Sequence, residues 1–297
     1  MRNRRSFLET ALSLGTAATL RASLWDSPPP LWTDVHHHMY DSRFPADLGA
    51  TLRPPDATVS DYRLLQKRIG IVRHVAVQPS TYGTDNSCLL DALQRFGPAA
   101  RGIAVVNPKV TNAELKRLDT AGVRGVRINL VQAGATKPEM IKPLSKRIHD
   151  LGWHIQVNAS TEQIMANAEI WSRLPVPIVF DHFGHAADTQ SPVYRLLCEL
   201  MQTGKAWTKL SGVETNSKLG PPDYADGSAV ARGFMREAPD RLLWGTNWPH
   251  STSTTKPDDL LLFNLLLREW TNSDAMRNKI LVDNPQHLFG FPLSPVS

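Results

Sequence analysis

The chain has only two cysteines in 297 residues, Cys88 and Cys198. Two cysteines build neither a disulfide framework nor a Cys-based zinc site. Both fall in apolar helical patterns and read as buried free thiols. No uninterrupted apolar run approaches the roughly 20 residues that a membrane helix needs, and the mean hydropathy is −0.27. A Gly-x-Gly-x-x-Gly fingerprint and a phosphate-binding P-loop are both missing, which disfavours nucleotide cofactors. A basic stripe with interleaved aromatics is missing too. The formal charge is +5, but Arg2, Arg4, Arg5 and Arg21 against Glu9 put +3 of it before residue 23. Nucleic acid and membrane are therefore not expected partners. The remaining composition, 41% hydrophobic and 21% charged, is that of an ordinary globular chain.

Residues 1–30 stand apart. Arg4-Arg5-Ser6-Phe7-Leu8, with the Ala, Leu, Ser and Thr stretch behind it, resembles a twin-arginine export signal ending near Ala22. Glu9 and Arg21 interrupt that pattern, so a plain basic tail is the rival reading. An export signal places the protein in the periplasm; a tail leaves it in the cytoplasm. Ser27-Pro28-Pro29-Pro30 reads as a stiff linker.

From residue 31 to 297, short β-rich runs alternate with helical patterns. Strands are expected at 31–37, 72–78, 101–107, 123–129, 153–158, 176–181, 206–211 and 241–246. They are short and continuously apolar, as strands covered on both faces are. Thr111-x-x-Glu114 reads as a capping box, with Gly122 as the stop of that helix. Leu260 to Trp270 reads as an apolar helix opened by Pro257. Eight strand–helix units in about 260 residues match a single-domain (β/α)8 TIM-type barrel, with a doubly wound sheet as the rival.

Parallel strands bring their C-terminal ends into one mouth. Those ends read His36-His37-His38, Gln78-Pro79-Ser80, Arg127-Ile128-Asn129, Asn158, Asp181-His182, Lys209-Leu210-Ser211 and Thr246-Asn247-Trp248-Pro249-His250. This set is rich in imidazole and poor in carboxylate. Strand alternation sends His36 and His38 to one side, about 7 Å apart at Cα, and His37 to the other. Asp181 reads as an anchor of loop backbone, and the Trp248-Pro249 pair as a pocket wall. His74, His149, His154 and His287 read as structural, whereas His185 and His250 fall in mouth loops.

On these residues the chain resembles the amidohydrolase superfamily, and within it the 2-pyrone-4,6-dicarboxylate lactonases and their relatives. The motifs that carry the resemblance occur in order: Asp34 to His38, Val77 to Ser80 with Gly83 to Asn86, Arg101 to Val106, Gly122 to Asn129, Val176 to Gly184, Trp244 to His250, and Asn284-Pro285. The resemblance implies a distorted (β/α)8 barrel. It implies a lactone site with His36, His38 and His182 around the carbonyl and Ser80 and Arg127 holding the substrate.

Asn247 departs from the family pattern. The hydrolases have Asp after Trp-Gly-Thr as general base for water; here the amide of Asn247 has no titratable base to offer. Losing a positioned base costs about 10²–10⁴-fold in rate. An intramolecular hydroxyl needs less activation, because effective molarities reach about 10⁵ M or more. D-galactarolactone isomerase, a relative within that family, also lacks the hydrolytic base. The resemblance thus implies an isomerase of sugar-diacid lactones, of the D-galactaro-1,5-lactone to 1,4-lactone type. A lactonase of a carboxylated, 2-pyrone-4,6-dicarboxylate-type substrate is the alternative. Asn158 and the single Arg127 suit a polyhydroxylated ring with one free carboxylate.

Three histidines can hold Zn²⁺ with an open position. A binuclear centre of this superfamily also draws on a Lys or Glu, a further His and the strand-eight Asp. Here those places read Arg127 or Asn129, Asn158 and Asn247. The expectation is a site with no metal and no cofactor. Its catalytic residues are His36, His38, His182 and Asn247. Its substrate-binding residues are Ser80, Arg127, Asn158 and His250, with one histidine, or His250, moving the proton.

Overall fold

Eight parallel strands run side by side in sequence order, β1 Thr33–His37, β2 Arg73–Val77, β3 Ala100–Ala104, β4 Val123–Asn129, β5 His154–Asn158, β6 Ile178–Phe180, β7 Ala206–Leu210 and β8 Leu242–Trp244. The computed structural model describes residues 31–132 and 134–292. Residues 1–30, with the expected export signal and linker, lie outside the described residues. Helices separate the strands and cover the outside, which makes this a (β/α)8 barrel. No helix among the described residues is long and apolar enough to cross a membrane.

Helix starts follow local chemistry. Thr111 Oγ1 accepts the Glu114 backbone N–H at 3.1 Å, while the Glu114 carboxylate turns to Arg117 instead of closing the capping box. Cys88 and Cys198 are buried thiols on inward helix faces, as their pattern implies. The apolar segment opened by Asp258 changes after Asn264 from α-helix to a π-helical turn over Leu265–Trp270.

The barrel is distorted at its seam. β8 has three residues and forms no ladder with β1. Closure comes from the segment beyond β8: Asn247 N–H donates to His36 O and His38 N–H donates to Trp248 O, each at 2.8 Å. Asp34 reinforces the seam by accepting from the Thr246 N–H and hydroxyl. Gly245 is required there, because a Cβ would lie 2.6 Å from His36 Cβ. The seam therefore fixes His36, His38 and Asn247 relative to one another.

Inside, the side chains form layers. Val35, Val75, Ile103, Val179, Trp207 and Leu243 pack with Phe289 and Phe291, which plug the bottom. Above them lies a charged layer of His36, Arg127, Gln156, Asp181 and Lys209, all buried. His37 faces outward, with Nε2 2.8 Å from His74 Nδ1 and its ring stacked on Tyr62.

Candidate active site

A cavity of about 250 Å³ opens above the charged layer, at the C-terminal ends of the strands. His38, Ser80, Arg127, Asn158, His182 and Asn247 line it, with Tyr40, Asn129 and His185. Six of the eight residues expected at the site thus meet in one cavity. The other two do not reach its wall. His36 lies one layer down, fully buried, with Nε2 3.3 Å from His38 Nε2. His250 sits behind the wall, its Nδ1 3.0 Å from Glu214 and its Nε2 2.8 Å from Asp259. Both ring nitrogens are occupied, so His250 is a clamp between loops and not a substrate contact. Trp248 is likewise no wall; it packs on Tyr62.

The imidazoles of His38 and His182 face the cavity. His38 Nδ1 donates to Val77 O at 2.8 Å, and His182 Nδ1 lies 3.2 Å from Ser211 O. A carbonyl only accepts, so His38 Nδ1 carries the proton and its Nε2 is a lone pair. His182 Nδ1 also lies 3.1 Å from the Ser211 hydroxyl, and in the tautomer that donates to the Ser211 carbonyl its Nε2 is a lone pair as well. Burial pushes His38 down to about 3 and His182 down to about 4. Both are neutral near pH 7. For His38 this corrects the expectation that the ring donates to a lactone carbonyl: its Nε2 accepts a proton. Gly212, at φ 67, lets the β7 loop lie against His182, where a Cβ would sit 2.7 Å from Nδ1.

Beneath them, Asp181 does not anchor loop backbone. Its carboxylate points into the barrel, 3.2 Å from His36 Nδ1, 3.5 Å from Lys209 Nζ and 3.7 Å from Arg127 Nε. Burial opposes its ionisation, but His36, Lys209 and Arg127 outweigh that and hold the carboxyl well below the usual range. Lys209 donates to Val35 O and Gln156 Oε1 at 2.9 and 2.7 Å. Burial brings its ammonium down to about 8 despite the pull of Asp181.

A carboxylate also reaches the mouth from the short helix after β7, away from any strand end. Glu214 Oε1 accepts from Asn247 Nδ2 at 3.0 Å and from the His250 ring. Burial disfavours the His250 cation, but Asp259 and Glu214 reverse this and raise His250 to about 9. Glu214 is thus paired and held below its ordinary value, and it does not line the cavity. Its bond fixes the Asn247 amide with NH₂ outward and leaves Oδ1 as the free end.

A family model described as amidohydrolase matches residues 33–291, and the chain belongs to that family. It is 35% identical over 274 residues to a 4-sulfomuconolactone hydrolase of Rhizobium radiobacter, covering 89% of this chain and 91% of the relative. It is 32% identical over 271 residues to a D-galactarolactone isomerase of Agrobacterium fabrum, covering 89% and 91%. An apo crystal structure from Agrobacterium tumefaciens superposes with a TM-score of 0.83 at 32% identity, covering 91% of this chain and 99% of that one.

The fold raises the question of a metal. His36, Asp181 and His182 bring ligand-type atoms within 4.8 Å of one another. The set does not fit a divalent ion. Asp181 is already the counter-ion of Lys209 and Arg127. His36 Nδ1 lies 3.2 Å from both Asp181 Oδ1 and the Lys209 ammonium, so this ring is tied into the same buried ion cluster. Further strand ends supply the amides Asn129, Asn158 and Asn247.

Proposed function

We propose that the cavity isomerises a carboxylated sugar-acid lactone by intramolecular acyl transfer, of the D-galactaro-1,5-lactone to 1,4-lactone type. The observation that carries this reading is Asn247. The residue at the strand-eight mouth is an amide tied back to Glu214, so it can hold a hydroxyl but not deprotonate a water.

Arg127 takes the free carboxylate, a charged hydrogen bond worth about 1.5–3 kcal/mol. Ser80 Oγ accepts from Asn129 Nδ2 at 2.9 Å, which leaves its own proton for the lactone carbonyl oxygen. Asn247 Oδ1 accepts from a ring hydroxyl and orients it. The substrate's 4-hydroxyl attacks C1, and its proton passes to His182 Nε2. The tetrahedral intermediate then expels O5, which takes the same proton back from His182. One C–O bond forms, one breaks, and no water or net proton is consumed. His182 is assigned the proton because His38 Nε2 already faces His36.

The test is NMR of a panel of aldaro-lactones with purified protein. Ring-size exchange without open diacid supports the reading. Open diacid formed faster than in buffer overturns it and returns the lactonase of a 2-pyrone-4,6-dicarboxylate-type substrate.

A further inference from the structure

One side of the cavity is a chain of hydrogen bonds whose protons can be counted. At one end, Asn129 Oδ1 accepts the backbone N–H groups of Val131 and Gln132 at 3.2 and 3.3 Å, so that atom is oxygen. At the other end, Asn216 Nδ2 donates to His182 O at 2.7 Å, so Asn216 Oδ1 is the oxygen turned to His185. Between these fixed acceptors run three contacts. Asn158 Nδ2 meets Asn129 Oδ1 at 3.2 Å, Asn158 Oδ1 meets His185 Nε2 at 2.9 Å, and His185 Nδ1 meets Asn216 Oδ1 at 2.9 Å.

Each contact needs one hydrogen. Asn158 supplies one whichever way its amide is turned. A neutral imidazole supplies one more. Three contacts therefore share two hydrogens, and one ring nitrogen or amide oxygen faces a lone pair. An imidazolium supplies two hydrogens and closes the count. His185 is half-buried and lines the cavity beside Asn158.

We propose that His185 is a second anion-recognising group of the cavity, taking up one proton when a negatively charged substituent of the substrate enters. This rests on the cavity being the lactone site. The structure reconciles two demands at this residue. In the free protein, burial lowers His185 and favours the neutral ring, although Asn216 and Asp181 pull the other way. An entering anion restores a counter-charge, and the wall is already built to bind both N–H groups. The titratable groups packed around the ring do not oppose this. His182, with ring centroids 6.0 Å apart, is neutral. Asp181 favours the cation, and Glu214, on the neighbouring loop, is committed to His250 and Asn247. Arg127 on the same cavity is balanced by Asp181. The substrate class is thereby narrowed to lactones whose ring carries an acidic group within reach of the Asn158–His185 wall.

The experiment is calorimetric titration of the full chain with galactarate, an open-chain polyhydroxy diacid ionised throughout pH 6–8, in phosphate and in Tris buffer. The expected result is uptake of about one proton per bound diacid at pH 7.5, affinity falling about tenfold per pH unit above it, and no uptake in H185Q. NMR of the histidine ring nitrogens in the wild-type complex reads the same event without a variant: both His185 nitrogens are protonated. Binding without proton uptake, uptake that persists in H185Q, or a His185 with one protonated nitrogen in the complex overturns the proposal. So does failure to bind galactarate by protein that turns over a lactone, and in that case the lactone reading stands. Proton-coupled binding by protein that turns over no lactone upholds the His185 site and removes the lactone reading.

Discussion

Asn247 Nδ2 donates to Glu214 Oε1 across 3.0 Å, and this one contact decides what a carboxylate at position 247 would do. An Asp there would face a second carboxylate at hydrogen-bond distance, and two such groups share a proton. Asn247→Asp alone is therefore expected to give little hydrolysis near pH 7. Asn247→Asp combined with Glu214→Gln frees the new base and raises lactone opening at least tenfold over the single variant. Rates of diacid formation by NMR check this; equal rates in the two variants contradict it.

His250 links the β7 and β8 loops through Glu214 and Asp259 and is raised from its ordinary 6.5 to about 9. A group raised in the folded state stabilises fully below its unfolded value and loses that contribution as pH rises through its folded value. Stability is expected to fall between pH 6.5 and 9. Lys209, lowered to about 8, acts in the opposite sense above that pH, so the clean window is pH 6.5–8. His250→Gln costs about 3 kcal/mol at pH 6.5 and flattens the dependence in that window. Urea denaturation across pH checks both; an unchanged slope contradicts the clamp.

Gly212 leaves room for the His182 ring where a Cβ would come within 2.7 Å of Nδ1. Gly212→Ala displaces the proton acceptor and is expected to lower kcat by about 10²-fold, with KM nearly unchanged. A change confined to KM would remove His182 from the chemical step.

Arg127 is a buried cation that lines the cavity and faces an entering carboxylate. Arg127→Lys keeps charge but loses the fork, and kcat/KM is expected to fall about 10- to 100-fold. A methyl ester of the same lactone should lose little between wild type and variant. An equal loss on acid and ester would contradict carboxylate binding by Arg127.

Much of this was written in the strand ends. Barrel order follows from eight apolar runs, and parallel direction gathers His38, Ser80, Arg127, Asn158, His182 and Asn247. Depth within the barrel was not legible: strand alternation puts His36 and His38 on one side but does not say that His36 lies a layer lower. Glu214 is not legible in the sequence, because it sits in a short helix after β7, where no periodicity marks an inward position. Lys209 stood in plain view at a strand end, yet only side-chain packing shows it as the partner of Asp181. His185 and His250 looked alike as mouth histidines, and only their partners separate a wall residue from a clamp.

In the proposed reaction the acyl group passes between two oxygens of the same molecule. Turnover of D-galactaro-1,5-lactone in H₂¹⁸O, followed by mass spectrometry of the lactone and diacid fractions, tests it most directly. The expected product is a 1,4-lactone carrying no label from solvent, with no diacid beyond the enzyme-free rate. Labelled diacid accumulating with enzyme concentration would contradict it.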